Sequence, residues 1–219
     1  MSIVSLFSCK KKEDDAPDQS SATTSSTLTT TLTSSTPESI QFILAYPPTY
    51  TTTAYNYTVP AIGTWYASSG GLNIQPSLPN YYSKVVNYYN NGGQNVFIIT
   101  KKDSTNETTT PISEGFFRNY LKKGNHNYAR STSGSLFETC GINISVKDNA
   151  GIWWYTVNPN NGKSIQTITS SFNITDVFEY SAFNNLNIKY KNTFSCKLYN
   201  SSGDSVYLTS GKMLVNLSK

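Results

Sequence analysis

The chain has 219 residues, of which 37% are hydrophobic and 14% are charged, and its formal net charge is +4. This length leaves room for one good-sized folded domain, and the two arginines among scattered lysines argue against the basic patch that nucleic-acid binders use. One histidine, three cysteines and the lack of an apolar run of about 18 residues argue against a multi-ligand zinc site and an internal membrane-spanning helix.

The N-terminus ends an apolar segment in the pattern Leu6-Phe7-Ser8-Cys9. This pattern resembles the cleavage motif of bacterial lipoprotein precursors, whose peptidase accepts a small side chain before an acylated cysteine. The resemblance implies that residues 1–8 are the remnant of a signal peptide and that Cys9 is the lipid anchor. A complete signal begins with positive charge, which no residue before Cys9 supplies, and a start codon assigned too late would explain this. The alternative is a cytosolic N-terminus in which Cys9 has no role.

Residues 9–36 are predicted to be a tether. A charged stretch follows Cys9, and residues 19–36 are almost entirely serine and threonine. Such a composition buries too little apolar surface to offset the entropy lost on ordering. We therefore expect a flexible leash over residues 9–36 and a β-rich globular domain over residues 37–219.

One amphipathic helix is predicted between Thr110 and Gly124. Five apolar side chains fall on one helical face, and the termini carry matching signals, with Thr110 as N-cap and Pro111 at the first helical position. We expect this short helix to pack across one face of a sheet. The apolar positions are Ile112, Phe116, Phe117, Tyr120 and Leu121.

His126 is the only histidine and follows the predicted helix. A hydrolase would have to combine it with carboxylates, but no Gly-x-Ser-x-Gly elbow, phosphate loop or spaced metal-ligand motif marks an active site. We therefore predict no catalytic residues, no metal and no cofactor. A hydrolase with an unmarked site remains an alternative, and the carboxylates weighed for it are Glu138, Asp148, Asp176 and Glu179.

Two cysteines remain in the predicted domain. In a strand, Cys140 would lie on the same face as Ile142 and Ile144, and Cys196 on the same face as Phe194 and Leu198. Both thiols are therefore expected to face the core. In an extracytoplasmic compartment they could form a disulfide that closes a long loop. Two buried free thiols are the alternative.

The clearest hairpin in the sequence spans Ile142 to Val157. Residues 142–147 alternate, Asp148-Asn149-Ala150-Gly151 favours a tight turn, and Ile152 to Val157 returns. Alternation places Trp153 and Tyr155 on one face and Trp154 on the other. After this hairpin, short apolar segments separated by Asn, Ser and Gly predict further strands. They are residues 165–169, 172–179, 186–190, 193–199, 205–209 and 212–217. The fold class is therefore mainly β: a single antiparallel β-sandwich or barrel-like domain with one short amphipathic helix.

Aromatic residues carry the main suggestion of function. Sixteen tyrosines and three tryptophans are more than a core needs, and Trp153, Tyr155 and Tyr66 are candidates for an exposed ligand-binding surface. A flat aromatic pair can stack on a sugar ring. The alternative is structural, because strands favour tyrosine and tryptophan on any half-buried face.

Two further features resemble small surface lipoproteins of the Bacteroidota. One is the stretch Lys10-Lys11-Lys12-Glu13-Asp14-Asp15, and the other is the order of helix, Cys-Gly-Ile hairpin and Thr-Phe-Ser-Cys tail between about residues 112 and 217. The resemblance implies a compact β-sandwich anchored at the outer membrane or cell surface, and it carries no catalytic residues. We therefore expect a membrane-anchored, non-catalytic binding module for a glycan, a peptide or another envelope protein. A purely structural envelope component is the remaining alternative.

Overall fold

The computed structural model describes residues 31–59, 65–74, 80–90, 92–129 and 140–219, and within these ranges it contains eleven strands and one helix. The predicted lipid anchor Cys9, the signal-peptide remnant and most of the tether lie outside the described residues. The elements are β1 (Ser39–Tyr46), β2 (Thr51–Thr58), β3 (Trp65–Asn73), β4 (Asn80–Tyr89), β5 (Asn95–Thr105), α1 (Glu114–Tyr120), β6 (Gly124–Asn125), β7 (Gly141–Lys147), β8 (Trp153–Tyr155), β9 (Ser171–Ala182), β10 (Asn185–Tyr199) and β11 (Ser205–Ser218).

The strands form one antiparallel sheet that does not close on itself. Its order is β2-β1-β11-β10-β8-β7-β5-β4-β3, with β9 beside β10 and β6 beside β9. The sheet divides at β10, because residues 185–195 pair with β9 whereas Tyr199 pairs with Tyr155 of β8. The expectation of a mainly β, sandwich-like domain with one short helix is confirmed, and the sheet is open rather than a closed barrel.

The two halves of the sheet face each other across the core. Tyr88 of β4 donates its hydroxyl to the carbonyl of Leu214 in β11 at 3.1 Å, and Phe97 of β5 contacts the rings of Phe42 and Phe194 at 5.5 and 5.9 Å. These side chains are at most 6% exposed and come from strands far apart in the sheet order. Each such burial contributes about 1.5–3 kcal/mol, so the interior aromatic residues hold the two layers together.

Helix α1 is shorter than predicted and begins at a different residue. Ser113, not Thr110, is the N-cap, and its Oγ accepts the Phe116 amide at 3.1 Å. Glu107 fixes this cap by accepting the Ser113 amide at 3.2 Å, a tertiary contact that the helical pattern did not indicate. Phe117 and Tyr120 bury the inner face of α1 against β4, as the apolar stripe predicted. Within the described ranges, no helix has the length and apolar character needed to cross a membrane.

The folded domain begins before Pro37, so the end of the expected tether was placed wrongly. Leu32 is 4% exposed, and the buried Lys189 donates from Nζ to the carbonyls of Ser34 and Thr36 at 2.7 and 2.5 Å. These hydrogen bonds are accepted by the backbone, so they do not depend on apolar side chains in residues 32–36. A serine- and threonine-rich segment can therefore join a core that its composition alone does not favour.

Several predicted C-terminal strands are continuous. Residues 186–190 and 193–199 form β10, and residues 205–209 and 212–217 form β11, which keeps its ladder through Ser210-Gly211. A Cβ at Gly211 would lie 2.6 Å from the ring of Phe194, and Ser210 has φ 53°. Close packing and a bulge, rather than a chain reversal, therefore explain this small-residue pair.

The structure contains no disulfide between Cys140 and Cys196. Cys196 faces the core as expected and is buried, but Cys140 is exposed and both thiols are free. Strand β7 starts at Gly141 with φ +129°, where a Cβ would lie 2.5 Å from the Ala129 amide nitrogen. This left-handed residue interrupts the alternation, so the side chain before it does not share the inward face of Ile142.

Candidate functional site

The turn of the β7–β8 hairpin is organised by Asp148. Its Oδ1 accepts the amides of Ala150 and Ile152, each at 2.9 Å, and Gly151 closes the turn with φ +83°. Its Oδ2 accepts the indole Nε1 of Trp154 at 2.8 Å. The predicted hairpin and the role of Asp148 as a turn residue are confirmed.

This hairpin directs one pair of aromatic side chains outward. Trp154 is buried, whereas Trp153 and Tyr155 are half-buried on the opposite face of β8, as their alternation predicts. The rings of Trp153 and Tyr155 have centroids 6.2 Å apart and an interplanar angle of 21°. The pair therefore presents two nearly parallel aromatic rings on the outer side of the sheet.

Trp153 and Tyr155 line a groove of about 890 Å³. The hairpin turn between β10 and β11 also lines this groove, and in it Asn200 Oδ1 accepts the amides of Ser202 and Asp204 at 3.0 and 2.9 Å. Among the described residues that line the groove, Asp204 alone carries a charge, and its carboxylate accepts Asn200 Nδ2 at 3.0 Å. Besides Tyr155, the polar lining residues are Asn143, Ser145, Thr156, Asn200, Ser201, Ser202 and Asp204.

Gln166 holds the chain beside this groove. Its Oε1 accepts the Lys197 amide at 2.9 Å, and its Nε2 donates to the carbonyls of Lys197 and Thr156 at 3.1 and 3.2 Å. The side-chain amide thus takes the place of a neighbouring strand where β8 ends. Residues 165–169, predicted as a strand, are irregular because this side chain, rather than their backbone, pairs with β10.

Tyr66 is not part of the groove. Its hydroxyl donates to the Asn216 carbonyl at 2.8 Å, and its ring lies 5.8 Å from that of Tyr88. Burial raises the pKa of Tyr66. This tyrosine links β3 to β11, and the structure does not bring it together with Trp153 and Tyr155.

His126 lies in a different and smaller groove of about 350 Å³. Its Nε2 is 2.9 Å from the Lys122 carbonyl, so that nitrogen carries the hydrogen, and burial lowers the pKa of the imidazole. No aspartate or glutamate is among the described residues that line this groove. A hydrolase would need His126 close to two carboxylates, and the described lining of this groove does not provide them.

The carboxylates weighed for catalysis have structural partners or lie elsewhere. Asp176 accepts Lys123 at 3.0 Å, which lowers the pKa of that carboxyl, and Glu179 accepts Arg118 at 2.8 Å. Glu138 is outside the described residues. In the described part of the chain, no three His, Cys, Asp or Glu side chains are grouped so that they could hold a metal ion.

The sequence predicted the aromatic pair but neither the role of Gln166 nor the position of the β10–β11 turn in the groove. Gln166 gave no signal, since a single glutamine in a polar segment has no pattern. The run Asn200-Ser-Ser-Gly-Asp204 did predict a turn, but the order of strands that carries it beside β8 is not visible in the sequence. Comparisons with known family models, with curated proteins and with solved structures found no match.

Proposed function

We propose that this protein is a lipoprotein anchored through Cys9 at the outer membrane or cell surface, and that its domain is a non-catalytic module that binds a neutral glycan. The observation that carries the binding proposal is the pair Trp153 and Tyr155, which lie half-exposed and nearly parallel in a groove of about 890 Å³. Concave sites with aromatic walls and a few placed polar groups are typical of small-ligand recognition.

The chemistry of the groove favours a carbohydrate. Aromatic faces pack against the C–H face of a sugar ring, and amide and hydroxyl groups suit sugar hydroxyls because both partners donate and accept. Asn143, Ser145 and Asn200 supply such groups around the aromatic pair. With Asp204 as the charged side chain of the lining, the groove suits an uncharged ligand better than an acidic one.

A peptide ligand is less well supported. Extended peptides commonly bind by adding a strand to a free sheet edge. Strand β8 has β7 on one side and meets β10 at Tyr155 on the other, so the groove offers side chains rather than an open edge. If the groove nevertheless bound peptides and not glycans, the glycan proposal would be wrong.

Affinity electrophoresis against a panel of neutral polysaccharides tests the binding proposal. At least one polysaccharide is expected to retard the wild type. Trp153→Ala and Tyr155→Ala should each weaken binding by about fivefold or more, because an aromatic anchor at a site centre contributes more than about 1 kcal/mol. Phe183→Ala is the matched control, since Phe183 is fully exposed and does not line the groove. Binding that is unchanged in both groove variants, or retention of peptides instead of glycans, would overturn the proposal.

The anchor is tested separately by intact mass and membrane partition in a bacterium that processes lipoproteins. The wild type should begin at Cys9 with added acyl mass and sediment with membranes, and Cys9→Ala should lose both properties. Cys140→Ala is the control, because it removes another exposed thiol and should leave partition unchanged. A soluble wild type with an unprocessed N-terminus would refute the anchor but not the glycan site.

A further inference from the structure

Two lysines stand directly opposite each other on the inner face of the sheet. Lys84 of β4 and Lys101 of β5 are register partners in the antiparallel ladder, and each alternates with buried neighbours such as Val86 and Ile99. Lys101 is 8% exposed, and Lys84 is half-buried. Like charges at directly opposed positions destabilise a sheet, so this pair needs a compensating feature.

Both lysines line one small cavity of about 10 Å³, which has room for a single small species. The rest of its lining is largely aliphatic and aromatic, and it includes Ile142, Phe172 and Leu217. Burial lowers the pKa of both lysines, because loss of water contact disfavours the charged form.

The carboxylates near the cavity do not balance these charges. Asp103 pairs with Lys101, whose Nζ also lies 4.2 Å from the centre of the Tyr120 ring. Among the described residues no carboxylate lies within ion-pair distance of Lys84, whose Nζ is about 6 Å from the ring centroids of Tyr82 and Phe117. Among the described residues, only one of the two lysines is therefore paired with a carboxylate.

A third polar group lies on β10, two residues from the cavity-lining Tyr190. Asn192 is 2% exposed, and neither its Oδ1 nor its Nδ2 has a hydrogen-bond partner among the described residues. It alternates with Tyr190 on β10 and is the register partner of Ile174, and both of these residues line the cavity. An unpaired buried amide costs about 1–3 kcal/mol and can donate to a small ligand.

We propose that the cavity between Lys84 and Lys101 binds a small monovalent anion of the size of chloride. Such an ion would supply the missing negative charge inside the sandwich, where a paired charge is tolerated and an unpaired one is not. The site is independent of the Trp153–Tyr155 groove, whose lining shares no residue with the cavity.

Thermal unfolding at neutral pH tests the site, with sodium chloride compared to sodium gluconate at equal ionic strength so that screening is constant. Chloride at ten times its Kd should raise the Tm by about 3–5 °C, because binding to the folded state alone stabilises it. Lys84→Met should lose this chloride-specific shift, whereas Lys102→Met, which removes a charge from the opposite face of β5, should retain it. Equal Tm values in the two salts, or a chloride shift that persists in Lys84→Met, would overturn the proposal.

Bromide gives a direct readout that does not depend on stability. A crystal grown in sodium bromide should show an anomalous peak in the cavity beside Lys84 and Lys101, and the same experiment on Lys84→Met should show none there. Absence of the peak in the wild type would refute the site. A peak that survives the substitution would likewise refute the pairing with Lys84.

Discussion

The carboxylate of Asp148 accepts a hydrogen bond from the indole Nε1 of Trp154 at 2.8 Å. Trp154 is buried, and it stands in the sequence between Trp153 and Tyr155, which point outward. The Asp148 side chain also accepts the Ala150 and Ile152 amides of the turn. One residue therefore fixes both the turn and the side of the sheet on which Trp153 and Tyr155 emerge.

Asp148→Ala is expected to lower the free energy of unfolding by about 2–3 kcal/mol, because it leaves the Trp154 Nε1 and two turn amides without their acceptor. Asp148→Asn keeps one carbonyl acceptor and should recover part of this loss. Asp176→Ala removes an ion pair that is much more exposed and should cost less than about 1 kcal/mol. Urea unfolding followed by tryptophan fluorescence measures all three, and equal costs for Asp148→Ala and Asp176→Ala would contradict the role of Asp148.

The two cysteines of the domain should differ in reactivity. Burial raises the pKa of the Cys196 thiol to about 12, whereas Cys140 is exposed, so iodoacetamide should modify Cys140 and spare Cys196 in the folded protein. Both should react after unfolding in guanidinium chloride. Peptide mass mapping distinguishes them. A linked Cys140–Cys196 peptide in a non-reduced digest would show that the thiols pair.

Lys189 is expected to hold residues 32–36 on the domain. Its Nζ donates to the carbonyls of Ser34 and Thr36 and lies 3.3 Å from the Glu38 carboxylate. Lys189→Met keeps most of the side-chain volume but removes all three interactions, and should cost about 3 kcal/mol. Limited proteolysis should then cut within residues 32–38 much faster than in the wild type. Lys212→Met, at an exposed position of β11, is the control for charge, and equal cleavage rates in the two variants would refute this role.

Stability should depend on the titration of His126. Burial lowers the pKa of His126 in the folded protein below its unfolded value of about 6.5. At a pH between these two values, the unfolded chain binds a proton at His126 and the folded chain does not. The neutral His126 therefore causes no loss of stability above pH 6.5, and the free energy of unfolding decreases as the pH falls through this window. Urea unfolding at pH 7.5 and pH 5 should show a smaller loss in His126→Gln, which does not titrate. An identical loss in variant and wild type would contradict the shift.

The β7–β8 hairpin and helix α1 were predictable because their signals are local. An aspartate-to-glycine turn between alternating segments, and an apolar stripe at helical spacing, act through neighbours a few residues away. Errors arose where a distant residue decided the outcome. Glu107 moved the N-cap to Ser113, and Gly141 turned Cys140 away from the core because the backbone of Ala129 packs against it.

The sequence by itself determined the antiparallel β character of the domain, the outward direction of Trp153 and Tyr155, and the turn at Asp148, because period-two alternation and turn chemistry are properties of short segments. The tertiary structure alone decided which elements became neighbours. It placed Asn200 and Asp204 in the same groove as Trp153, kept Tyr66 out of that groove, and made Lys84 the register partner of Lys101. Strand order and register join residues far apart in the chain, and they are selected by packing of the whole core rather than by any local pattern.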